Sequence, residues 1–228
     1  KDEADTAATE ARTARDEAAD RRDEVATLKS EKETAASNLE TQKKGLEDQQ
    51  EQAAADADAA AKRIAEIDAA NRAAYESGQD TGVSSESIGA DSLGDGYIGH
   101  PISGPLSVTS PFGYRVHPVT GVGTGHQGTD FAAADGTPQY AAVSGVATYW
   151  DSASCGTGID INAGYIDGHS YVITLCHLSG RAIADGQQVS RGDIVGYTGS
   201  TGYATGPHVH FQVAQDGVYI DPMTLPGF

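Results

Sequence analysis

Residues 1–75 contain no proline and a single glycine, Gly45, and this absence narrows the choice of fold more than any other feature of the sequence. Ala, Glu, Asp, Lys and Arg make up most of this segment, a composition that favours helix. From about Ser77 onward, charged residues become fewer, while Gly, Pro, Thr, Tyr and Val become frequent, as in short strands joined by tight turns. We therefore expect a helical first part and a β-rich second part.

The few large apolar residues of the helical part recur at a seven-residue step. The positions along this step are Val25, Lys32, Leu39, Leu46, Ala53, Ala60 and Ile67. The spacing is that of a thin coiled-coil seam, and because so many of its positions are Ala or polar we expect a protein partner or self-association to stabilise it. Gly45 can lie inside one long helix or separate the arms of a helical hairpin. The predicted role of this region is that of a spacer or oligomerisation stalk.

The fold class predicted for the whole chain is α+β. A helical coiled-coil region (1–76) precedes a flexible linker (77–97) that is rich in Gly, Ser and Asp, and an antiparallel β-rich domain (98–228) follows. Little helix is expected in that domain. Its predicted strands are Thr137–Ala142, Gly145–Trp150, Gly158–Asn162, Tyr171–Leu175, Ile194–Gly196 and Val209–Val213.

Charge argues against a nucleic-acid partner, and the distribution of apolar residues argues against a membrane span. Residues 1–80 carry 12 Lys+Arg against 21 Asp+Glu and residues 81–228 carry 3 against 12, so each part has a net charge of −9, and the sum is −18. A chain with so few cations has little with which to grip a phosphate backbone, and we expect no nucleic-acid partner. No apolar run approaches the length of a membrane span.

The two cysteines, Cys155 and Cys176, flank a predicted hairpin whose turn falls near Gly164–His169. If the flanking strands pair, the two sulfurs lie on neighbouring strands at a similar distance from the turn, which a disulfide can bridge. The alternatives are two buried free thiols or thiolate metal ligands, although no CxxC spacing is present. A disulfide would favour an extracytoplasmic compartment, and the start at Lys1 indicates a processed or trimmed chain.

Two histidine motifs suggest a metal site. GHQGTDF places His126 and Asp130 a short step apart, where an imidazole and a carboxylate can converge on one ion. In GPHVHFQV, His208 and His210 alternate along a predicted strand and would point to one face. Two histidines and one carboxylate are a known set of ligands for catalytic zinc, with a fourth position for water. His177, in LCHLS at the end of another predicted strand, is a candidate histidine that does not bind the metal.

Several longer motifs occur in a specific order. They are SPFGYRVHPVTG (110–121), GHQGTDF, GTPQYAAVSGVA (136–147), CHLS, VSRGDIVGYTGSTG (189–202) and GPHVHFQV. Together they resemble the lysostaphin-type family of zinc metallopeptidases over about residues 98–225. The sequence departs mildly from the family pattern: Leu175 stands where the family often has Tyr, and Cys176 precedes His177.

This resemblance implies a function for the second half of the chain. It implies that His126, Asp130 and His210 bind Zn²⁺ and that His177 and His208 are catalytic residues that do not bind it. The implied reaction is hydrolysis of peptide bonds in bacterial peptidoglycan, by a secreted or cell-wall-associated enzyme. Tyr114 and Tyr203 are candidate residues of the substrate groove, since aromatic faces suit peptide or sugar contacts.

A non-catalytic or latent cell-wall module that regulates a partner hydrolase is the alternative function. The presence of both catalytic histidines and all three metal ligands favours the enzyme, because degenerate members of the family should lack some of them. In a latent enzyme, the linker could supply a fourth zinc ligand from Asp91, Asp95 or His100. Of the remaining histidines, His117 is predicted to be structural, whereas His100 and His169 are predicted to be exposed to solvent.

Overall fold

The computed structural model of the protein describes residues 2–79, 93–116 and 123–228. One α-helix, α1, spans Asp2–Glu76 and continues through Gly45 without a break, so the long helix is the correct one of the two predicted forms. The contacts within the chain define two compact units, Lys1–Glu51 and Gln52–Phe228. Among the described residues, no helix combines the length and the apolar character that a bilayer span requires.

The first unit consists of the helix alone. Its seam residues Val25, Leu39 and Leu46 are 64%, 66% and 44% exposed. Ion pairs four residues apart, such as Arg21–Glu17, lie on the surface of the helix and contribute only about 0.2–0.5 kcal/mol each. Association through the seam therefore stays a prediction.

The second unit combines the end of α1 with a β-rich domain. The described part of this domain contains thirteen strands: β1 (Val108–Ser110), β2 (Gly113–Val116), β3 (Gly123–His126), β4 (Thr129–Ala132), β5 (Pro138–Tyr140), β6 (Gly145–Ser152), β7 (Gly156–Ile166), β8 (His169–Cys176), β9 (Leu178–Arg181), β10 (Gln187–Val189), β11 (Ile194–Thr198), β12 (His208–Gln215) and β13 (Val218–Ile220). A short 3-10 helix follows at Pro222–Thr224. The predicted fold class, a long helix followed by an antiparallel β-rich domain, is confirmed.

The largest sheet has the strand order β1-β4-β12-β8-β7-β6-β10, and β13 pairs with β12. All of these pairings are antiparallel. Strands β5, β11 and β9 form a second sheet, and β2 pairs with β3. Every strand predicted from the sequence lies at one of the observed strands, and the predicted hairpin is β7–β8, whose turn is at Asp167–Gly168.

Side chains alternate between the two faces of the large sheet. One face carries the main hydrophobic core, which includes the fully buried Ile159, Ile161, Ile173, Leu175, Phe211 and Val213. This alternation of apolar residues along β7, β8 and β12 fixes their register, because a slip of one residue would turn each set to the opposite face.

The last turns of α1 pack on the other face of this sheet. Ile64 is fully buried against Val172 of β8 and Ala214 of β12. Farther along the helix, the side chain of Asn71 exchanges hydrogen bonds of 2.8 and 2.9 Å with Asn162. The helical residues from 52 onward are therefore part of the β-rich unit.

The predicted division at residues 76 and 97 stays a prediction. Most of the predicted linker, residues 80–92 including Asp91, lies outside the described residues. At its end, Leu93 is buried, and the guanidinium of Arg191 donates hydrogen bonds to the carbonyl oxygens of Gly94 and Gly96.

Candidate metal centre and active site

Three adjacent strands place the candidate site residues in one row. Asp130 of β4 lies directly opposite His210 of β12, and His210 lies opposite Cys176, the last residue of β8. His126 ends β3, so the H-x-x-x-D motif spans the short connection between β3 and β4. Because residues opposite each other in an antiparallel pair project to the same face, strand pairing alone brings these side chains together.

The side chains of His126, Asp130 and His210 meet at one point. His210 Nδ1 is 2.7 Å from Asp130 Oδ1, His126 Nε2 is 3.2 Å from the same oxygen, and the two imidazole nitrogens are 3.1 Å apart. Among the described residues, this is the only group of three or more His, Cys, Asp or Glu side chains close enough to share an ion. All three residues are almost entirely buried.

A backbone carbonyl orients the first of these histidines. His126 Nδ1 is 2.8 Å from the carbonyl oxygen of Pro111. Because a carbonyl only accepts, Nδ1 carries the proton, and the lone pair of Nε2 points toward Asp130 and His210. Sequence reasoning missed Pro111 because every residue type has this carbonyl group.

Burial and hydrogen bonding oppose each other at the carboxylate. Burial raises the pKa of Asp130, but the adjacent imidazoles of His126 and His210 outweigh this effect and hold the pKa well below its usual value. Burial also lowers the pKa of the His210 imidazole, against the opposing effect of Asp130. These shifts favour an ionised Asp130 carboxylate beside a neutral His210 imidazole, which are the protonation states that bind a divalent metal.

The other two histidines of the predicted site stand beside this cluster. The ring centroids of His177 and His208 are 4.6 Å apart, and those of His177 and His210 are 5.7 Å apart. His177 Nδ1 donates to the carbonyl oxygen of Thr201 at 2.8 Å, and His208 Nδ1 donates to that of Gly206 at 2.9 Å. Nε2 is therefore the nitrogen of each ring that these two hydrogen bonds leave available, and that of His208 is 3.8 Å from Asp130 Oδ1.

The environment keeps His177 neutral at physiological pH. Burial, followed by the nearby charge of His210, lowers the pKa of His177 to about 4. A neutral imidazole with a free Nε2 can accept a proton, as a general base must.

The structure contains the predicted disulfide. Cys155, just before β7, is joined to Cys176 at the end of β8, and neither cysteine is free. The alternatives of free thiols and thiolate ligands are therefore excluded for this structure. The bond lies next to His177 in the chain.

An open cavity of about 680 Å³ adjoins the histidines. It is lined by Asp130, His208 and several small residues, among them Ala132–Ala134 and Gly206. Tyr114 and Tyr203, the predicted groove residues, are not among its described lining residues, and Tyr114 is 80% exposed. Their role in binding substrate stays a prediction.

The remaining described histidines lie away from the cluster. His169 is exposed and pairs with Asp216 at 2.6 Å, as predicted for a turn residue. His100 was predicted to be exposed but is half-buried, because its Nε2 lies 2.7 Å from Gly227 O and its ring packs against Phe228. His117 lies outside the described residues.

Comparison with known proteins places this site in context. The model of one protein family, described as peptidase family M23, matches residues 124–222. The DD-carboxypeptidase/endopeptidase Mpg of Neisseria meningitidis serogroup B (strain MC58) is 40% identical over 119 residues, which are 52% of this chain and 26% of that protein. The peptidoglycan DD-endopeptidase ShyC of Vibrio cholerae is 37% identical over 112 residues, which are 49% of this chain and 25% of that protein.

A solved structure shows the same similarity in three dimensions. The crystal structure of a zinc-containing peptidase from Vibrio cholerae is 34% identical, with a TM-score of 0.50 over 55% of this chain and 39% of that chain. The present chain spans less than a third of the length of the two curated relatives.

Proposed function

Residues 124–222 form a peptidase M23 domain, and from this premise we propose that the chain is a zinc-dependent endopeptidase that hydrolyses peptide bonds of bacterial peptidoglycan. The observation that carries the proposal is the convergence of His126 Nε2, Asp130 Oδ1 and His210 Nδ1 within 2.7–3.2 Å of one another. We assign these three atoms as the zinc ligands.

The geometry and chemistry of the cluster fit zinc. Ligand atoms about 2.0–2.1 Å from a tetrahedral zinc lie roughly 3.3 Å from one another, close to the three distances of this cluster. Two imidazoles and one carboxylate are a donor set of catalytic zinc sites. Structural zinc sites, in contrast, usually have four protein ligands. When bound, the ion would lower the pKa of a water molecule to about 7 and polarise the carbonyl group of the substrate.

The chain's own residues would move the protons. His177 and His208 each donate from Nδ1 to a backbone carbonyl and so hold Nε2 free beside the cluster. One Nε2 can take a proton from the attacking water, and a protonated imidazole can then stabilise the oxyanion or return the proton to the leaving amine. The division of these roles between the two histidines is left open in the proposal.

The proposed substrate follows from the relatives and from the groove. Both curated relatives have names that describe DD-peptidases, and ShyC is named for peptidoglycan. The small residues of the cavity, Ala132–Ala134 and Gly206, leave room for a peptide backbone to approach the cluster. The disulfide suits the oxidising compartment outside the cytoplasm in which peptidoglycan lies.

A regulatory module without catalysis, or a latent enzyme, is the competing function. All five predicted residues are present, and the structure gathers them around one point, which favours the enzyme. His100, proposed as a fourth ligand in a latent form, contacts Gly227 and Phe228 instead.

Digestion of purified peptidoglycan, followed by mass spectrometry of the released fragments, tests the proposal. We expect the zinc-loaded chain to release new peptide fragments and both the His210→Ala variant and the chelator-treated chain to release none. His169→Ala is a matched control, because it removes an exposed histidine outside the site. Muropeptides left intact by the zinc-loaded native chain would favour the regulatory or latent module.

A further inference from the structure

The disulfide adjoins one proposed catalytic residue, His177, through the chain, and Cys176 also stands opposite the proposed ligand His210 on the neighbouring strand. Cys176 immediately precedes His177 in the chain, and the carbonyl oxygen of Cys155 accepts a hydrogen bond of 2.8 Å from the backbone N–H of His177. Cys176 is thus joined to His177 by a peptide bond, and Cys155 is joined to it by a hydrogen bond. The disulfide connects these two cysteines to each other.

The backbone of His177 needs such support. Its φ angle is 62°, in the left-handed region, and it is one of three described non-glycine residues with a positive φ. A residue with a Cβ adopts this conformation at a cost in free energy and keeps it where the surroundings enforce it. His177 lies between β8 and β9, outside the ladder of either strand, so the support comes from its neighbours.

The side chain of His177 is held from a different segment. Its Nδ1 donates to the carbonyl oxygen of Thr201, whose own hydroxyl donates to Leu178 O at 3.0 Å and accepts from the N–H of Thr157 at 3.0 Å. The position of the ring beside the cluster therefore depends on three segments: residues 155–157 at the start of β7, the start of β9, and the loop around Thr201. The disulfide joins the first of these to the end of β8.

The proposed ligands have other supports. His126 is held by Pro111 O, and Asp130 and His210 contact each other across a ladder that pairs β12 with β4 at four positions and with β8 at six. We expect this ladder to remain when the covalent bond is removed.

We propose that the Cys155–Cys176 disulfide positions His177 for catalysis, and that its loss lowers turnover while zinc stays bound. This inference rests on the proposed peptidase function, in which His177 transfers a proton. The cysteines are positioning residues, because they act only through the histidine.

The test is a Cys155→Ala/Cys176→Ala double variant, assayed on peptidoglycan below its melting temperature. We expect kcat to fall about 10- to 100-fold, the range in which a misplacement of about 1 Å acts. KM should stay within about twofold, and zinc should stay at one ion per chain. Val213→Ala, in the core of β12 away from the cysteines, is the control for a general loss of stability and should leave kcat nearly unchanged.

A second readout does not depend on activity. Nitrogen-edited NMR of the imidazole rings should show a hydrogen-bonded Nδ1 proton for His177, assigned with a His177→Gln variant, and another for His126. In the double variant we expect the His177 signal to shift or disappear while the His126 signal persists. If the native chain cleaves nothing, the proposed function fails, and the NMR comparison still decides the positioning role.

Two results would overturn the inference. In the first, kcat and the His177 signal are both unchanged in the double variant. In the second, zinc and the His126 signal are lost together with the His177 signal, which would make the bond a general support of the fold. If the variant does not fold, the native chain reduced with a water-soluble phosphine replaces it. The phosphine breaks the S–S bond, leaves two thiols and becomes the oxide with an oxygen from water, and the same criteria apply.

Discussion

Arg63 Nε donates to Asp160 Oδ2 over 2.6 Å, so an ion pair joins the end of α1 to the middle of β7. The carboxylate of Asp160 is almost fully buried and also accepts from Trp150 Nε1 at 3.0 Å and from Thr174 Oγ1 at 2.6 Å. The guanidinium of Arg63 lies 3.9 Å from the centroid of the Trp150 ring. The helix therefore supplies the only cation that the described structure pairs with this carboxylate.

Arg63→Leu should destabilise the second unit by about 3 kcal/mol. This is the lower end of the range for removing one partner of a buried ion pair, because 27% of the Arg63 side chain is exposed. Urea denaturation measures the change. Lys62→Leu is the matched control, since Lys62 is exposed beside it, and should change the free energy of unfolding by no more than about 0.5 kcal/mol. Equal effects of the two substitutions would contradict the assignment.

Shortening the chain should distinguish the two parts of α1. A chain of residues 52–228 retains all of the helix–sheet contacts described above, so we expect a melting temperature close to that of the full chain. Removing residues 1–76 instead exposes the cluster around Val172 and Ala214 and leaves Asp160 without its cation. We expect that chain to melt at least several degrees lower or to aggregate, as differential scanning calorimetry would show. Equal melting temperatures for the two shortened chains would refute a structural role of the helix end.

Tyr219→Phe should protect the protein at alkaline pH. The hydroxyl of Tyr219 is buried without a hydrogen-bond partner among the described residues, and burial, followed by the charge of Asp160, raises its pKa to about 12. A raised pKa means that the folded state favours the neutral phenol. The contribution of Tyr219 to the free energy of unfolding is therefore fully present below the ordinary pKa of about 10, and it is lost as pH rises from there through about 12. The free energy of unfolding of the variant should therefore exceed that of the native chain by more at pH 11.5 than at pH 8. A difference that does not depend on pH would contradict this.

Substitutions in the site should fall into two groups. Replacing His126, Asp130 or His210 by Ala should abolish stoichiometric zinc binding, whereas His177→Gln and His208→Gln should retain zinc and lose about 10²- to 10⁴-fold in kcat, because only a proton-transfer group is removed. Elemental analysis after dialysis and peptidoglycan turnover separate the two groups. Zinc lost from the His208→Gln protein would show that the assignment of ligands is wrong.

The sequence was sufficient for those parts of the fold that have a strong local pattern. The absence of proline predicted α1, and the change to a composition typical of short strands joined by tight turns predicted the central strands. The resemblance to lysostaphin-type peptidases is confirmed over residues 124–222, which match the model of peptidase family M23. Strands β1–β4, β9, β10 and β13 were not predicted, since each has only three or four residues and several are rich in Gly or polar residues.

The docking of α1 on the sheet could not be predicted either. Its contacts with the sheet include the polar side chains of Arg63 and Asn71, which resemble those of a solvated helix face in sequence. Seam position Ile67 packs at the sheet, although the seven-residue step alone suggests a partner helix. Likewise, the carbonyl groups that orient His126, His177 and His208 belong to Pro111, Thr201 and Gly206, and a backbone carbonyl has no signature in sequence.

The row formed by Asp130, His210 and Cys176 makes the site a direct product of sheet assembly. If β12 paired with its neighbours one residue out of step, Val209 and Phe211 would take the places of the histidines, and the imidazoles would enter the apolar core. The hydrophobic residues that fix the register of β12 therefore also keep the site residues on the same face of the sheet. Formation of the central strands therefore also assembles the proposed metal site, so we expect zinc to be removed and restored without unfolding of the chain.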